Sequence, residues 1–190
     1  MECRKETNLT KFNCSFFNSP IGKIFYVWLI EDNINNSSDN ENLKVVFLSN
    51  SQETFFKYKE KLKTEYPGSV FLDKKSKKIE TELSDYLNCR KKEINLGYLF
   101  LTGSAFEKKI WETSAAIPYS QVASYKEIAE RSGNPGAWRA AGTALGNNPL
   151  MLIIPCHRVI KSSGDIGFFG GGEKVKEYLL NLESADFFLK

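Results

Sequence analysis

The 190-residue sequence predicts an α+β protein of two domains. Residues 1–90 read as an antiparallel sheet with helices, 91–103 as a linker, and 104–190 as a mostly helical domain containing a helix-turn-helix. Three observations carry this. Phe12, Cys14 and Phe16, then Phe25, Val27 and Leu29, alternate with the period of strands. Phe55, Tyr58 and Leu62, then Ile79, Leu83, Tyr86 and Leu87, recur at helical spacing. Two capping boxes, Ser104 to Glu107 and Ser124 to Glu127, open helices in the second half.

The first half follows in chain order. The first strand turns at Ser19-Pro20-Ile21-Gly22 into a second over Lys23–Ile30, predicting a hairpin. Glu31–Asn42 is rich in Asn, Asp and Ser, has almost nothing to bury and is expected to be a mobile loop. Leu43–Leu48 supplies a third strand, Ser51–Tyr66 a helix ended by Pro67-Gly68, and Val70–Leu72 a further short strand. Lys74, Lys75, Lys77 and Lys78 read as a solvated helix start, with a nuclear-import signal as the other reading. No catalytic constellation is visible here, so a supporting domain is expected.

Asn88–Gly103 reads as an extended crossover. The helix opened by Ser104 aligns Phe106, Ile110, Ser114 and Ile117 on one face and stops at Pro118. The helix opened by Ser124 buries Ile128 and Ala129 and ends at Gly133. Asn134-Pro135 is expected to start the next, with proline in the first turn, where its missing N–H costs nothing. That helix carries Ala137, Trp138, Arg139, Ala140, Ala141, Gly142 and Ala144. The pair fits a helix-turn-helix whose small residues let its backbone approach another surface; it also fits an ordinary helical hairpin.

Leu150–Ile154 is short and aliphatic and predicts a buried strand closed by Pro155. Directly after it stand Cys156 and the chain's single histidine, His157. A cysteine at a strand end is both held and reachable, which suits a nucleophile; free cysteine is also among the most buried residue types, which suits a core edge. Gly167-Phe168-Phe169-Gly170-Gly171-Gly172 lacks the phosphate-cradle pattern, and its aromatics could wall a pocket for a flat ring. A last helix, Glu173–Glu183, is expected to bury Val175, Tyr178, Leu179 and Leu182, with Glu183 turned inward at its end.

The net charge of +3 is mild, but Arg131 to Gly164 holds no Asp or Glu while containing Arg131, Arg139, Arg158 and Lys161. Such a segment suits a polyanion better than an acidic partner. The four cysteines form no CxxC pair and only one histidine exists, which excludes a zinc site of the usual spacing; no metal and no cofactor are expected. Met1–Thr10 shows no signal-peptide character and no apolar stretch approaches a membrane span, so an intracellular, reducing setting without membrane attachment is expected.

Taken together, Asn148-Pro149, Ile154-Pro155-Cys156-His157-Arg158-Val159-Ile160, the helix-turn-helix with its lone arginine and the Gly/Phe loop closely resemble the O6-alkylguanine-DNA alkyltransferases, or methylated-DNA–protein-cysteine methyltransferases. The resemblance spans Ser104 to Glu183; the first half matches in size and element order. It implies a ribonuclease H-like first domain and a winged-helix-like second, acting as a monomer on double-stranded DNA through the minor groove. The implied residence is the nucleus in a eukaryote and the cytoplasm in a prokaryote. By the resemblance, Cys156 accepts the alkyl group from guanine O6 in a single turnover. His157 acts as base through a water, Glu183 holds the imidazole, and Asn148 ties the helix loop to the cysteine segment. Tyr125 donates toward the leaving guanine, and Arg139 fills the gap left by the flipped nucleotide. Ala137, Trp138 and Ala140 are placed at the DNA, and Val159, Phe169 and Gly170 at the base. Trp138 stands where the family has a small side chain, and Phe169-Gly170 replaces the Tyr-Ser pair of vertebrate members. Two rivals belong to other classes: a non-catalytic binder of alkylated DNA, which would lack the cysteine, and a thiol hydrolase, which would need a base other than His157.

Overall fold

The computed structural model describes residues 10–31 and 42–184. The loop expected at Glu31–Asn42 falls on residues 32–41 and lies outside the described residues.

Strands β1 (Lys11–Ser19) and β2 (Gly22–Ile30) form the predicted hairpin, paired from Ser19↔Gly22 to Asn13↔Trp28. Strand β3 (Leu43–Ser49) continues the meander against β2, with a register shift between Val27 and Trp28. The edges join differently. Strand β4 (Val70–Asp73) runs parallel to β1, and β5 (Gly97–Tyr98) runs parallel to β3, giving the order β4-β1-β2-β3-β5. Only the three central strands are antiparallel, because each edge strand arrives after a helical crossover rather than a tight turn. Strand β5 lies inside the stretch read as a crossover.

Alternation in β2 decides what packs where. Phe25 and Val27 face helix α1 (Gln52–Glu65), through Phe55, Tyr58 and Leu62. Ile24, Tyr26 and Trp28 face the other way, onto helix α2 (Lys77–Leu87). That second cluster continues without a break into Ile110, Trp111, Leu145, Leu150 and Cys156, so one core draws on both halves of the chain.

Both capping boxes form as expected, opening α3 (Ala105–Ala115) and α4 (Tyr125–Arg131), and each contributes about 1 kcal/mol. Gly103, at φ 97, lies so close to the Trp111 ring that a Cβ would fall 2.5 Å from it. The Trp111 indole in turn donates to the Ala144 carbonyl at 2.7 Å. Helix α5 (Trp138–Gly146) starts later than Asn134-Pro135 suggested. Asn134 C=O instead accepts from Ala137 N–H and Gly136 takes φ 88, so Pro135 sits in the turn of the helix-turn-helix. Strands β6 (Ala123–Ser124) and β7 (Val159–Ile160) pair in parallel, Ala123↔Val159, and helix α6 (Glu173–Leu182) closes the fold.

Candidate active site

The segment leading to Cys156 is not a strand. Leu150 bridges to Leu48 of β3: Leu48 N–H donates to Pro149 C=O at 2.7 Å and Met151 N–H to Leu48 C=O at 3.1 Å. The chain then turns, with Leu152 at φ 72 and Ile154 N–H returning to Leu150 C=O. Pro155 leads into a single 3-10 turn, Cys156–Arg158, rather than closing a strand. An apolar turn survives burial because its backbone groups find partners on β3 and on Asn148.

Asn148 organises this turn. Its Oδ1 accepts from Leu150 N–H at 2.9 Å, and its Nδ2 donates to Ile154 C=O at 3.1 Å and to Cys156 Sγ at 3.0 Å. Cys156 is buried, and that burial pushes its thiol up, against the Asn148 amide and the Lys176 ammonium. The sulfur is therefore a thiol until a base acts on it.

Behind it, His157 and Glu183 are both fully buried, with Nε2 2.7 Å from the carboxylate. Arg158 Nε contacts both Glu183 oxygens, at 3.2 and 2.9 Å, and its Nη1 donates to Ile117 C=O at 2.6 Å. The Tyr86 hydroxyl donates to the same carboxylate. Burial alone would raise Glu183, but the bonds from His157 and Arg158 prevail and bring its carboxyl down to about 2. An ionised Glu183 can only accept, so His157 carries its proton on Nε2. Its Nδ1 is then a basic lone pair, buried and without a hydrogen-bond partner. Burial holds the imidazole below its usual range, hence neutral.

A groove of about 590 Å³, lined by Tyr125, Trp138, Arg139, Gly142, Lys161 and Phe168, among others, runs along α5; Cys156 does not line it. Ala123↔Val159 pairing places Tyr125 beside the cysteine turn. Burial, then the charge of Cys156, pushes the Tyr125 hydroxyl up to about 12, so it stays a donor; here it donates to Phe168 C=O at 3.0 Å. Arg139 lies over the Trp138 ring at 4.3 Å. Ala140 is exposed on α5, and Ala137 is its N-cap position. Phe169 is buried edge-on to His157, and the aromatic at the groove is Phe168. Gly170 abuts the end of α5, where a Cβ would meet Gly146 O at 3.0 Å. Val159 is buried, with its carbonyl turned to Lys176.

Three participants escaped the sequence reading. Arg158 stood inside the motif without a role. Tyr86 was read as a core aromatic, although a buried tyrosine must also place its hydroxyl. Lys176 is fully buried, with Nζ 2.5 Å from Val159 C=O and near Phe168 C=O and the Tyr125 hydroxyl, and burial lowers it to about 8. Its signal was a lysine at helical spacing from Leu179, Leu180 and Glu183. The predicted face of α6 was Val175, Tyr178, Leu179 and Leu182, whereas Lys176, Leu179 and Leu180 are its buried residues and Tyr178 is exposed.

The family model described as "6-O-methylguanine DNA methyltransferase, DNA binding domain" matches residues 105–185. A methylated-DNA–protein-cysteine methyltransferase of Methanosarcina acetivorans is 34% identical over 172 residues, 90% of this chain and 97% of that one. The chain belongs to the methylated-DNA–protein-cysteine methyltransferase family. A member from Mycolicibacterium paratuberculosis is 49% identical over 85 residues, 45% of this chain, so the match spans about half the length (52%) of that relative. The crystal structure of Mycobacterium tuberculosis OGT in complex with DNA superposes with a TM-score of 0.69 at 27% identity, covering 91% of this chain and 92% of that one. The family resemblance read from the Pro155–Ile160 motif thus extends, through the Methanosarcina relative, into the first half of the chain. Among the described residues, no group of three His, Cys, Asp or Glu side chains could hold a metal ion, and no helix is long and apolar enough to cross a membrane.

Proposed function

We propose that the protein repairs alkylated DNA directly, moving an alkyl group from guanine O6 to Cys156 once per chain. The observation that carries the reading is the pairing of a buried thiol, held by Asn148, with a neutral His157 whose Nε2–H is committed to Glu183.

The chemistry follows from those roles. His157 Nδ1 takes the thiol proton through a water, leaving a thiolate that the Asn148 N–H and the Lys176 ammonium stabilise. The sulfur attacks the alkyl carbon, an S–C bond forms and the C–O6 bond breaks. The electron pair stays on the guanine, where Tyr125, released from Phe168 C=O, supplies a proton and recovers one through solvent, as the His157 imidazolium gives up the proton it took from the thiol. The product thioether has no leaving group a water could displace, so the site is consumed. The target carbon is out of reach inside a base stack, so the nucleotide must swing out, at a cost of a few kcal/mol.

In this reading α5 docks in the minor groove, where its small residues Ala140 and Gly142 permit close approach, and Arg139 occupies the gap. A free thiol of this kind belongs to a reducing compartment, and the protein acts as a monomer, since nothing in the chemistry needs a second chain. Methylated duplex DNA followed by peptide mass spectrometry is the test. Alkyl mass on the Cys156 peptide, at no more than one per chain, is expected. Cys156→Ala should bind DNA and gain no mass. An unmodified Cys156 with intact DNA binding would instead favour a non-catalytic lesion binder, and repeated turnover would favour a hydrolase.

A further inference from the structure

We infer that Tyr86, from the first half of the chain, is a positioning residue for the proton transfer at His157. This rests on His157 being the base, as proposed above. The argument begins with a count of donors on Glu183. Its Oε1 accepts from the Tyr86 hydroxyl, His157 Nε2 and Arg158, and its Oε2 from Arg158 and the Ser120 N–H. Tyr86 Oη also lies 3.4 Å from His157 Nε2. A phenol that donates to a carboxylate oxygen drains charge from it, so the oxygen attracts the imidazole proton less strongly. Tyr86 therefore weakens the hold of Glu183 on a charged His157 without removing the bond that fixes the ring. The result is an imidazole neutral, and so able to act as a base, at lower pH than the Glu183 contact alone would allow.

The other groups around the pair act differently. Arg158, which also donates to Oε1, and Lys176 lower the imidazole too, but through their positive charge, Lys176 from α6 and Arg158 from the cysteine turn itself. Tyr119, between α3 and β6, stacks edge-on to Tyr86 and donates to Leu182 C=O, not to the carboxylate; Lys92 lies over its outer ring at 5.8 Å. Phe169 presents only carbon to the imidazole. Tyr86 is thus the only neutral side-chain donor on Glu183 Oε1 other than His157 itself among the described residues. It is 2% exposed and lies in the same buried cluster as Ile79, Leu83 and Leu87 of its own helix. The half of the chain that shows no catalytic motif in sequence therefore reaches the base through one hydroxyl.

The single histidine makes the test clean. In ¹⁵N-labelled protein, His157 should appear as the Nε2–H tautomer. Tyr86→Phe, which keeps the ring, should raise its titration midpoint by roughly half to one pH unit. The acid limb of the alkyl-transfer profile should move up by the same roughly half to one pH unit. In a His157→Gln background, Tyr86→Phe should change the rate by less than twofold. A variant that loses stability but leaves the His157 midpoint in place would overturn the inference. Should Tyr86→Phe not fold, the wild type still decides: the Tyr86 hydroxyl proton, sealed from solvent, should resonate far downfield and move as His157 titrates, and a signal that stays put refutes the coupling. The NMR readouts need no DNA, so failure of alkyl transfer in the wild type would sink the proposed function while leaving this inference to be judged by itself.

Discussion

The amide of Asn148 holds its nitrogen 3.0 Å from the sulfur of Cys156 while its oxygen accepts the N–H of Leu150. The two bonds fix which end of the amide faces the thiol. Asn148→Asp keeps the Leu150 bond and turns a carboxylate oxygen toward the sulfur and the Ile154 carbonyl. The thiolate is then repelled, and a rise of one pKa unit or more slows alkylation by iodoacetamide at pH 8 about tenfold. Unchanged thiol kinetics would show that Asn148 does not act on the sulfur.

Glu183 makes the fold acid-sensitive. Its carboxyl is lowered from 4.5 to about 2, so the stabilisation is present above pH 4.5 and drains as the pH falls toward 2. His157 is held below 6.5, so the unfolded chain takes up that proton first and a further loss begins as the pH drops through 6.5. Urea denaturation between pH 8 and 3 should show both. Glu183→Gln should flatten the lower limb and cost about 3–5 kcal/mol at pH 7, because Arg158 stays buried beside a neutral partner.

Lys176 is a buried cation with no carboxylate at ion-pair distance among the described residues. Its ammonium is lowered to about 8 from 10.5, so the unfolded state binds more protons between those values and this group makes stability rise with pH there. Lys176→Met should remove on the order of 2 kcal/mol of that rise. The same change withdraws a positive charge from near Cys156 and should slow alkyl transfer at least several-fold at pH 7.5. A variant as reactive as the wild type would confine Lys176 to packing.

Of the three tryptophans, Trp28 and Trp111 are buried and Trp138 is 44% exposed beside Arg139. Stacking on a base should quench its emission when duplex DNA is added, and Trp138→Ala should remove that quenching and weaken binding by about 1–3 kcal/mol. Reaction with free benzylguanine, which requires no flipping, should be spared. Quenching that persists in Trp138→Ala would place the DNA elsewhere.

Much of the site was legible because its chemistry lies in short local signals. Ser104 with Glu107 and Ser124 with Glu127 announced two helices, and the Pro155–Ile160 run with Asn148, Tyr125 and Glu183 announced the groups now found together. What was not legible needed tertiary partners. Leu150–Ile154 has the composition of a strand, yet Leu48 and Asn148 satisfy its backbone in a turn. The face of α6 was misjudged because Tyr178 scores as apolar and Lys176 as polar, while a pocket of carbonyls reverses their places. Phe168 and Phe169 are indistinguishable as neighbours in sequence; only the fold sends one into the core and the other to the groove.

The seam between the halves also bears on how the protein can be cut. Gly103 is pressed against Trp111, Leu48 pairs with Leu150, and Asn50 donates to Gly171 C=O at 2.9 Å. A fragment beginning at Ser104 would keep every residue of the motif and the whole helix-turn-helix. It would also leave the cysteine turn without its β3 partner and the glycine loop without its anchor, and bare the face of Trp111 to water. Such a piece should be sticky and poorly ordered around the very turn it was meant to present, so the smallest working unit of this protein extends back through β3.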